Sequence, residues 1–137
     1  MPLKAGRALE LVGEAEARIE TLTPQAAEAL PRDDTVIVDL RDIRERAREG
    51  FIPGSFHVPR GMLEFWIDPE SPYHNELFAS GKRFVFYCAM GWRSALATRA
   101  AQDMGLEPVA HIAGGFGAWK EDGRPVLQTA DGREPRR

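Results

Sequence analysis

Cysteine is nearly absent: the chain of 137 residues holds one, Cys88. No disulfide can close within it, and no second thiol can resolve a mixed disulfide, so an internal dithiol cycle is excluded. A lone thiol also suits a reducing compartment. Long apolar runs are missing too. After Lys4 and Arg7, the acidic residues Glu10, Glu14 and Glu16 interrupt the apolar ones. Neither a signal-peptide core nor a membrane span is expected there, and a cytoplasmic location is expected. Positive charge is not in excess. Lys and Arg total 18 against 21 Asp and Glu, a net charge of −3, which is no footprint for nucleic acid. The three histidines, His57, His74 and His111, lie far apart and none has ligand spacing with Cys88. No metal site is expected. Gly114-Gly115-Phe116-Gly117 lacks the full dinucleotide fingerprint and reads as a tight turn into a helix.

What is present is ordinary for one soluble domain: 43% hydrophobic and 28% charged residues, in a chain long enough for one core and too short for two. Ala8, Leu11, Val12, Ala15 and Ile19 keep helical spacing, so a helix over residues 4–18 is expected, docked on the domain from outside its core. Residues 19–22 read as a short strand. Thr23 is placed to cap a helix that begins at Pro24 and stops at Pro31.

Thr35 to Leu40 is a β-branched run suited to a strand buried on both faces, with Asp39 and Arg41 at its carboxyl end. A polar helix over 43–49, a turn at Gly50 to Gly54, a short strand over 55–58, a helix over 61–67 and a loop over 68–74 follow. Arg83 to Tyr87 is the expected central strand. The next helix runs from Arg93 to Met104, with Leu96, Ala97, Ala100, Ala101 and Met104 on its inner face and Gly105 ending it. Residues 108–112 form the last strand, 116–120 a final short helix, and the chain from Gln128 a frayed tail.

This alternation predicts an α/β fold: one mainly parallel five-stranded sheet with helices on both faces. Ligands in such folds sit at the carboxyl ends of the strands, where Cys88, Asp39 and Arg60 are expected.

Cys88 lies between a strand end and a helix start. Two readings of it stand on these residues alone. It is a small buried hydrophobe, as free cysteine often is, or it is a nucleophile. A free thiol ionises near pH 8.5, and a helix dipole contributes only ~1 kcal/mol toward lowering that. More is needed, and the loop has it. Gly91 permits a tight curve that turns amides toward the sulfur, and Arg93 carries a permanent positive charge. The same groups suit the oxyanions of a small substrate.

Four segments, in order, resemble the rhodanese family of sulfurtransferases, over roughly residues 19–127. Val36-Ile37-Val38-Asp39-Leu40-Arg41 resembles the family's strand ending in Asp-x-Arg. Gly50-Phe51-Ile52-Pro53-Gly54-Ser55 resembles its Gly-His-Ile-Pro-Gly-Ala turn, with Phe51 where the family commonly has His. Cys88-Ala89-Met90-Gly91-Trp92-Arg93-Ser94 resembles its active loop, Cys-x-x-Gly-x-Arg-Ser. Gly114-Gly115-Phe116 to Trp119, then Gly123-Arg124-Pro125-Val126, resembles its C-terminal signature.

The resemblance implies a single rhodanese-like domain over 19–127, with residues 1–18 as an N-terminal helical extension and 128–137 as a polar tail. It implies catalysis by Cys88 through a persulfide held by loop groups from Ala89 to Ser94: Ala89, Met90, Gly91, Trp92, Arg93 and Ser94. The implied donor is a small sulfur-bearing anion such as thiosulfate, the implied acceptor a thiol or protein, and no cofactor is called for. Asp39, Arg41 and Arg60 are candidates to support the site, Arg60 at its mouth or simply on the surface. Trp66 and Trp119 fit packing roles, and Trp92 flanks the pocket.

Other readings of the same fold are a sulfur carrier or regulatory binding module, and a cysteine phosphatase or arsenate reductase. The last two use Cys-x5-Arg, whereas four residues separate Cys88 from Arg93 here. That loop is one residue short for surrounding a tetrahedral oxyanion. The oligomeric state is open, since the N-terminal helix can pack on its own domain or on a neighbour.

Overall fold

A computed structural model describes residues 2–128. In chain order the elements are α1 (Arg7–Glu16), β1 (Glu20–Leu22), α2 (Pro24–Glu28), β2 (Thr35–Asp39), α3 (Ile43–Glu49), β3 (Phe56–His57), α4 (Leu63–Ile67), β4 (Arg83–Tyr87), α5 (Trp92–Asp103), β5 (Val109–Ile112) and α6 (Gly115–Glu121). Two 3-10 turns, Arg60–Met62 and Glu76–Ala79, lie within the β3–β4 connection on either side of α4. The sheet runs β1-β5-β4-β2-β3, and every pairing is parallel. The chain is therefore α/β with a five-stranded parallel sheet, and β4 lies at its centre.

Period-two alternation sorts the strand side chains into two cores. Val38, Phe84 and Phe86 point to one face, where Leu63 and Ile67 of α4 and Ala97 and Ala101 of α5 cover them. Ile37, Val85 and Tyr87 point to the other, against Ala27 of α2 and Phe116 and Trp119 of α6. Each large apolar side chain buried this way contributes roughly 1.5–3 kcal/mol. Trp119 is fully buried and its indole N–H donates to the Pro125 carbonyl at 2.7 Å. Trp66 packs on Phe56 with ring centroids 6.0 Å apart.

Local chemistry sets the helix starts. Thr23 accepts from the Ala26 amide at 3.1 Å, ahead of Pro24. Asp42 and Glu45 form a reciprocal capping box on α3. Helix α1 lies outside both cores, on its own domain: Val12 and Ala15 pack on Ala95 of α5, with Ile19 beside them.

The structure departs from the sequence expectations in places. β3 shortens to two residues because only Phe56 and His57 find partners, Val38 and Asp39, on the edge of β2. α2 ends at Glu28 with Ala29 as its cap, short of Pro31. The 61–67 helix opens as a 3-10 turn, and a second such turn at Glu76–Ala79 lies where the sequence pattern marks no element. The inner face of α5 is also different. Ser94, Ala95, Ala97, Thr98 and Ala101 are buried, whereas Leu96 and Met104 are exposed. Two small polar residues are admitted to the interior because each finds a partner; Thr98 Oγ1 donates to the Ser94 carbonyl at 2.7 Å. Apart from Gln128 itself, the expected tail lies outside the described residues.

Candidate active site

β4 ends on Tyr87 and delivers Cys88 to the loop that starts α5. The thiol is covered, with Cys88 only 1% exposed. Gly91 caps α5 at φ 108°, a conformation that glycine adopts without strain. That curve turns two amides onto the sulfur: Gly91 N–H at 3.2 Å and Ser94 N–H at 3.3 Å from Sγ. Ser94 Oγ is 3.5 Å from Sγ. The loop's outer residues, Met90 and Trp92, project into solvent.

The base of the loop is held from α6. Phe116 N–H donates to the Cys88 carbonyl at 2.8 Å and Gly117 N–H to the Ala89 carbonyl at 3.0 Å. This close approach needs Gly115, at φ 61°, where a Cβ would stand 2.5 Å from the Cys88 carbonyl oxygen. The glycine-rich stretch that reads in sequence as a turn into a helix is thus the platform of the cysteine loop.

Arg93 does not present a bare charge. Its guanidinium forms a two-point pair with Glu45, at 2.8 and 3.1 Å. That pair, more than the nearby Cys88 sulfur, keeps its pKa above the ordinary arginine value. Arg60 likewise donates to Glu64 at 2.9 Å. Arg60 and Arg93 still share a cavity of about 380 Å³ with Leu40, Arg41, Asp42 and His57 at the carboxyl edge of β2. Two larger hollows, about 540 and 610 Å³, lie between α1 and α5 and beside α2 and α6, and no residue of the Cys88 loop lines either of them.

Asp39 and Arg41 belong to a buried ionic cluster. Asp39 accepts from Arg41 Nη2 at 2.8 Å, Arg46 Nη1 at 2.9 Å and the Tyr87 hydroxyl at 2.9 Å. Burial pushes the Asp39 carboxyl up, but the bonds and charge of Arg41, with Arg46, bring it net below the usual range. Tyr87 moves up, chiefly through burial and then through Asp39. Arg41 also stacks over Phe116, 4.2 Å from the ring centroid, and its carbonyl accepts from His57 Nε2 at 2.7 Å. The cluster reaches the loop through Tyr87, the residue before Cys88, and acts as its foundation. Phe51 carries the Arg46 guanidinium 4.4 Å above its ring.

Sequence reasoning missed His111. β5 pairs Phe86 with His111, two positions before Cys88, and His111 Nδ1 lies 2.9 Å from Ser94 Oγ. Burial lowers its pKa, while Glu16 acts in the opposite sense. A polar residue inside the apolar run Val109-Ala110-His111-Ile112 was the available signal. Among the described residues no group of three or more His, Cys, Asp or Glu is placed to hold a metal ion, and no helix is long and apolar enough to cross a membrane.

With this geometry in hand, known proteins supply a context. The model of the Rhodanese-like domain family matches residues 23–122. An uncharacterised protein of Synechocystis is 32% identical over 110 residues, covering 80% of this chain and 56% of its own; the chain thus spans little more than half of that relative. Human thiosulfate:glutathione sulfurtransferase is 30% identical over 104 residues, covering 72% of this chain and 90% of its own. A solved structure from Rhodopseudomonas palustris, a protein of unknown function described as a possible tyrosine phosphatase, superposes with a TM-score of 0.86 at 57% identity, covering 93% of this chain and 99% of its own.

Proposed function

The chain belongs to the rhodanese-like domain family, and from that premise we propose that it moves sulfane sulfur through a persulfide on Cys88. One observation carries the reading: two loop amides, Gly91 N–H and Ser94 N–H, converge on Cys88 Sγ at 3.2 and 3.3 Å. Backbone donors aimed at sulfur favour its charged form over the thiol. The thiolate attacks the outer sulfur of thiosulfate, the donor's S–S bond breaks, and sulfite leaves with the electron pair. A thiolate acceptor then takes the outer sulfur and returns Cys88 to its thiolate. Each half-reaction ends with a free product, which gives ping-pong kinetics.

Arg93, with Arg60 across the shared cavity, attracts the anionic donor. The name of the human relative supports a small thiol such as glutathione as acceptor. The proposed catalytic unit is residues 19–127, with 1–18 as an accessory helix and 128–137 as a tail. The single thiol fits the reducing conditions of the cytoplasm.

The test is to incubate the protein with thiosulfate, remove small molecules and weigh it. A gain of one sulfur atom, absent in Cys88→Ser, is the expected result; no adduct with thiosulfate or any persulfide donor sinks the proposal. An adduct that forms but is not passed to thiols identifies a carrier. The description of the Rhodopseudomonas relative raises a second reading, phosphate-ester hydrolysis. Only four residues separate Cys88 from Arg93, and the loop amides already close on a single sulfur atom. Turnover of p-nitrophenyl phosphate that is lost in Cys88→Ser is the result that favours it.

A further inference from the structure

Three residues from three parts of the chain line up at the sulfur. Cys88 Sγ is 3.5 Å from Ser94 Oγ, and Ser94 Oγ is 2.9 Å from His111 Nδ1. His111 is 2% exposed, and its Nε2 is buried without a hydrogen-bond partner among the described residues. We infer that His111 is a positioning residue for the sulfur: as a neutral imidazole protonated on Nδ1, it donates to Ser94 Oγ and so commits the Ser94 hydroxyl proton to the Cys88 thiolate. The inference deepens the proposed function and rests on Cys88 reacting as a thiolate.

The choice of tautomer follows from the orphaned nitrogen. Nε2 is unpaired among the described residues in either tautomer, and of the two an orphaned buried N–H is the rarer state in folded proteins; a proton on Nε2 creates one. A proton on Nδ1 leaves only a bare lone pair at Nε2 and gives the N–H an acceptor in Ser94 Oγ. The Ser94 hydroxyl then has two places for its own proton: the Gly91 carbonyl at 3.4 Å, or the sulfur. In the thiol state Cys88 S–H donates to Ser94 Oγ, and the hydroxyl serves Gly91. When the thiol gives its proton to solvent, the anionic sulfur becomes the stronger acceptor and the hydroxyl rotates to it. The thiolate then has three donors: Gly91 N–H, Ser94 N–H and Ser94 O–H. No proton passes to or from His111 in this cycle.

The surroundings keep the ring neutral. Burial holds the His111 pKa down, against the carboxylate of Glu16 on α1. On α5, the Arg93 guanidinium beside Ser94 is engaged by Glu45. Across Ser94 the titratable neighbour is Cys88 itself.

Because Cys88 is the single thiol, the pH midpoint of alkylation by iodoacetamide reads its ionisation directly and needs no sulfur donor. Ser94→Ala and His111→Leu should each raise that midpoint by about one pH unit, about tenfold less thiolate at a given pH. The double variant should go no further. His111→Asn, whose amide N–H reaches the place of Nδ1–H, should restore most of the loss. A midpoint that responds to Ser94→Ala but not to His111→Leu overturns the inference, as do additive shifts in the double variant.

Should the variants fail to fold, nitrogen-15 NMR of the unaltered protein decides. A neutral Nδ1–H tautomer at pH 7 supports the inference, and an Nε2–H tautomer or an imidazolium overturns it. Sulfur uptake with a midpoint indifferent to His111 leaves the proposed function standing and this inference lost; the expected midpoints without sulfur uptake do the reverse.

Discussion

Arg93 and Glu45 meet at two points, Nη1 on Oε1 at 2.8 Å and Nη2 on Oε2 at 3.1 Å, so the loop arginine is clamped to the first turn of α3. The same Glu45 Oε1 accepts from the Asp42 backbone N–H at 3.1 Å, completing the helix cap. The pair holds the Glu45 carboxyl below its usual range, through the Arg93 hydrogen bond first. The clamp orients the guanidinium and offsets part of the charge that an anionic donor would meet in the proposed reaction.

Glu45→Gln keeps an oxygen for the cap and removes the negative charge. The KM for thiosulfate should fall about threefold, the scale of a partly exposed ion pair, with kcat nearly unchanged. Steady-state kinetics checks this; a KM that rises shows that orientation by Glu45 outweighs its charge.

Asp39 answers to two buried arginines, Arg41 and Arg46. Its folded pKa is depressed, below an unfolded value of roughly 3.9. Its contribution to stability is therefore complete above that value and is lost as pH falls from about 4 toward the folded pKa. Asp39→Asn leaves two buried cations short of a counter-charge and should cost about 3–5 kcal/mol at neutral pH. Urea unfolding at pH 5.5 and 3 should show a smaller acid loss in the variant than in the unaltered protein. Equal losses in both proteins sink this account.

Gly115 and Gly123 separate crowding from backbone strain. Both have positive φ, but a Cβ on Gly115 meets the backbone of Cys88 and Ala89 at 2.5 and 2.8 Å, whereas one on Gly123 meets nothing within 4 Å. Gly123→Ala should cost about 1 kcal/mol. Gly115→Ala should cost about 2–4 kcal/mol and lower sulfur transfer, since the loop base must move. Thermal unfolding with thiosulfate turnover gives both numbers, and a Gly115 variant with normal turnover contradicts the platform role.

Trp92 is 51% exposed beside a covered thiol. In the proposed reaction it meets the incoming acceptor more than the small donor. Trp92→Ala should raise the acceptor KM severalfold, on the scale of losing one partly buried aromatic contact, and leave the donor KM within error. Matching changes in both constants count against the assignment.

Much of the fold was legible because it follows local rules. The β-branched run at 35–40 and the apolar run at 83–87 became adjacent central strands, β2 and β4. Thr23 and Pro24 start a helix wherever they meet this way. What failed was judged from one helix face. Helical spacing places Leu96 inside α5, yet it is exposed, because Ala95 on another face packs on α1 and the small residues Ser94 and Thr98 take buried positions of their own. Periodicity does not say how many neighbours a helix has.

The sequence alone determined the candidate nucleophile and its loop. A single cysteine, a glycine three residues on and an arginine two beyond that are local in the chain, and strand-to-loop-to-helix order carries them to the sheet's carboxyl edge. Only the tertiary structure decided the company they keep. Glu45 lies 48 residues from Arg93, and His111 17 residues from Ser94. Those contacts depend on the strand order β5-β4-β2 and on its register, which pairs Phe86 with both Val38 and His111. Hydrogen bonds and ion pairs act over a few ångströms in space, and it is the packing of the sheet, not spacing along the chain, that sets which groups come within that range.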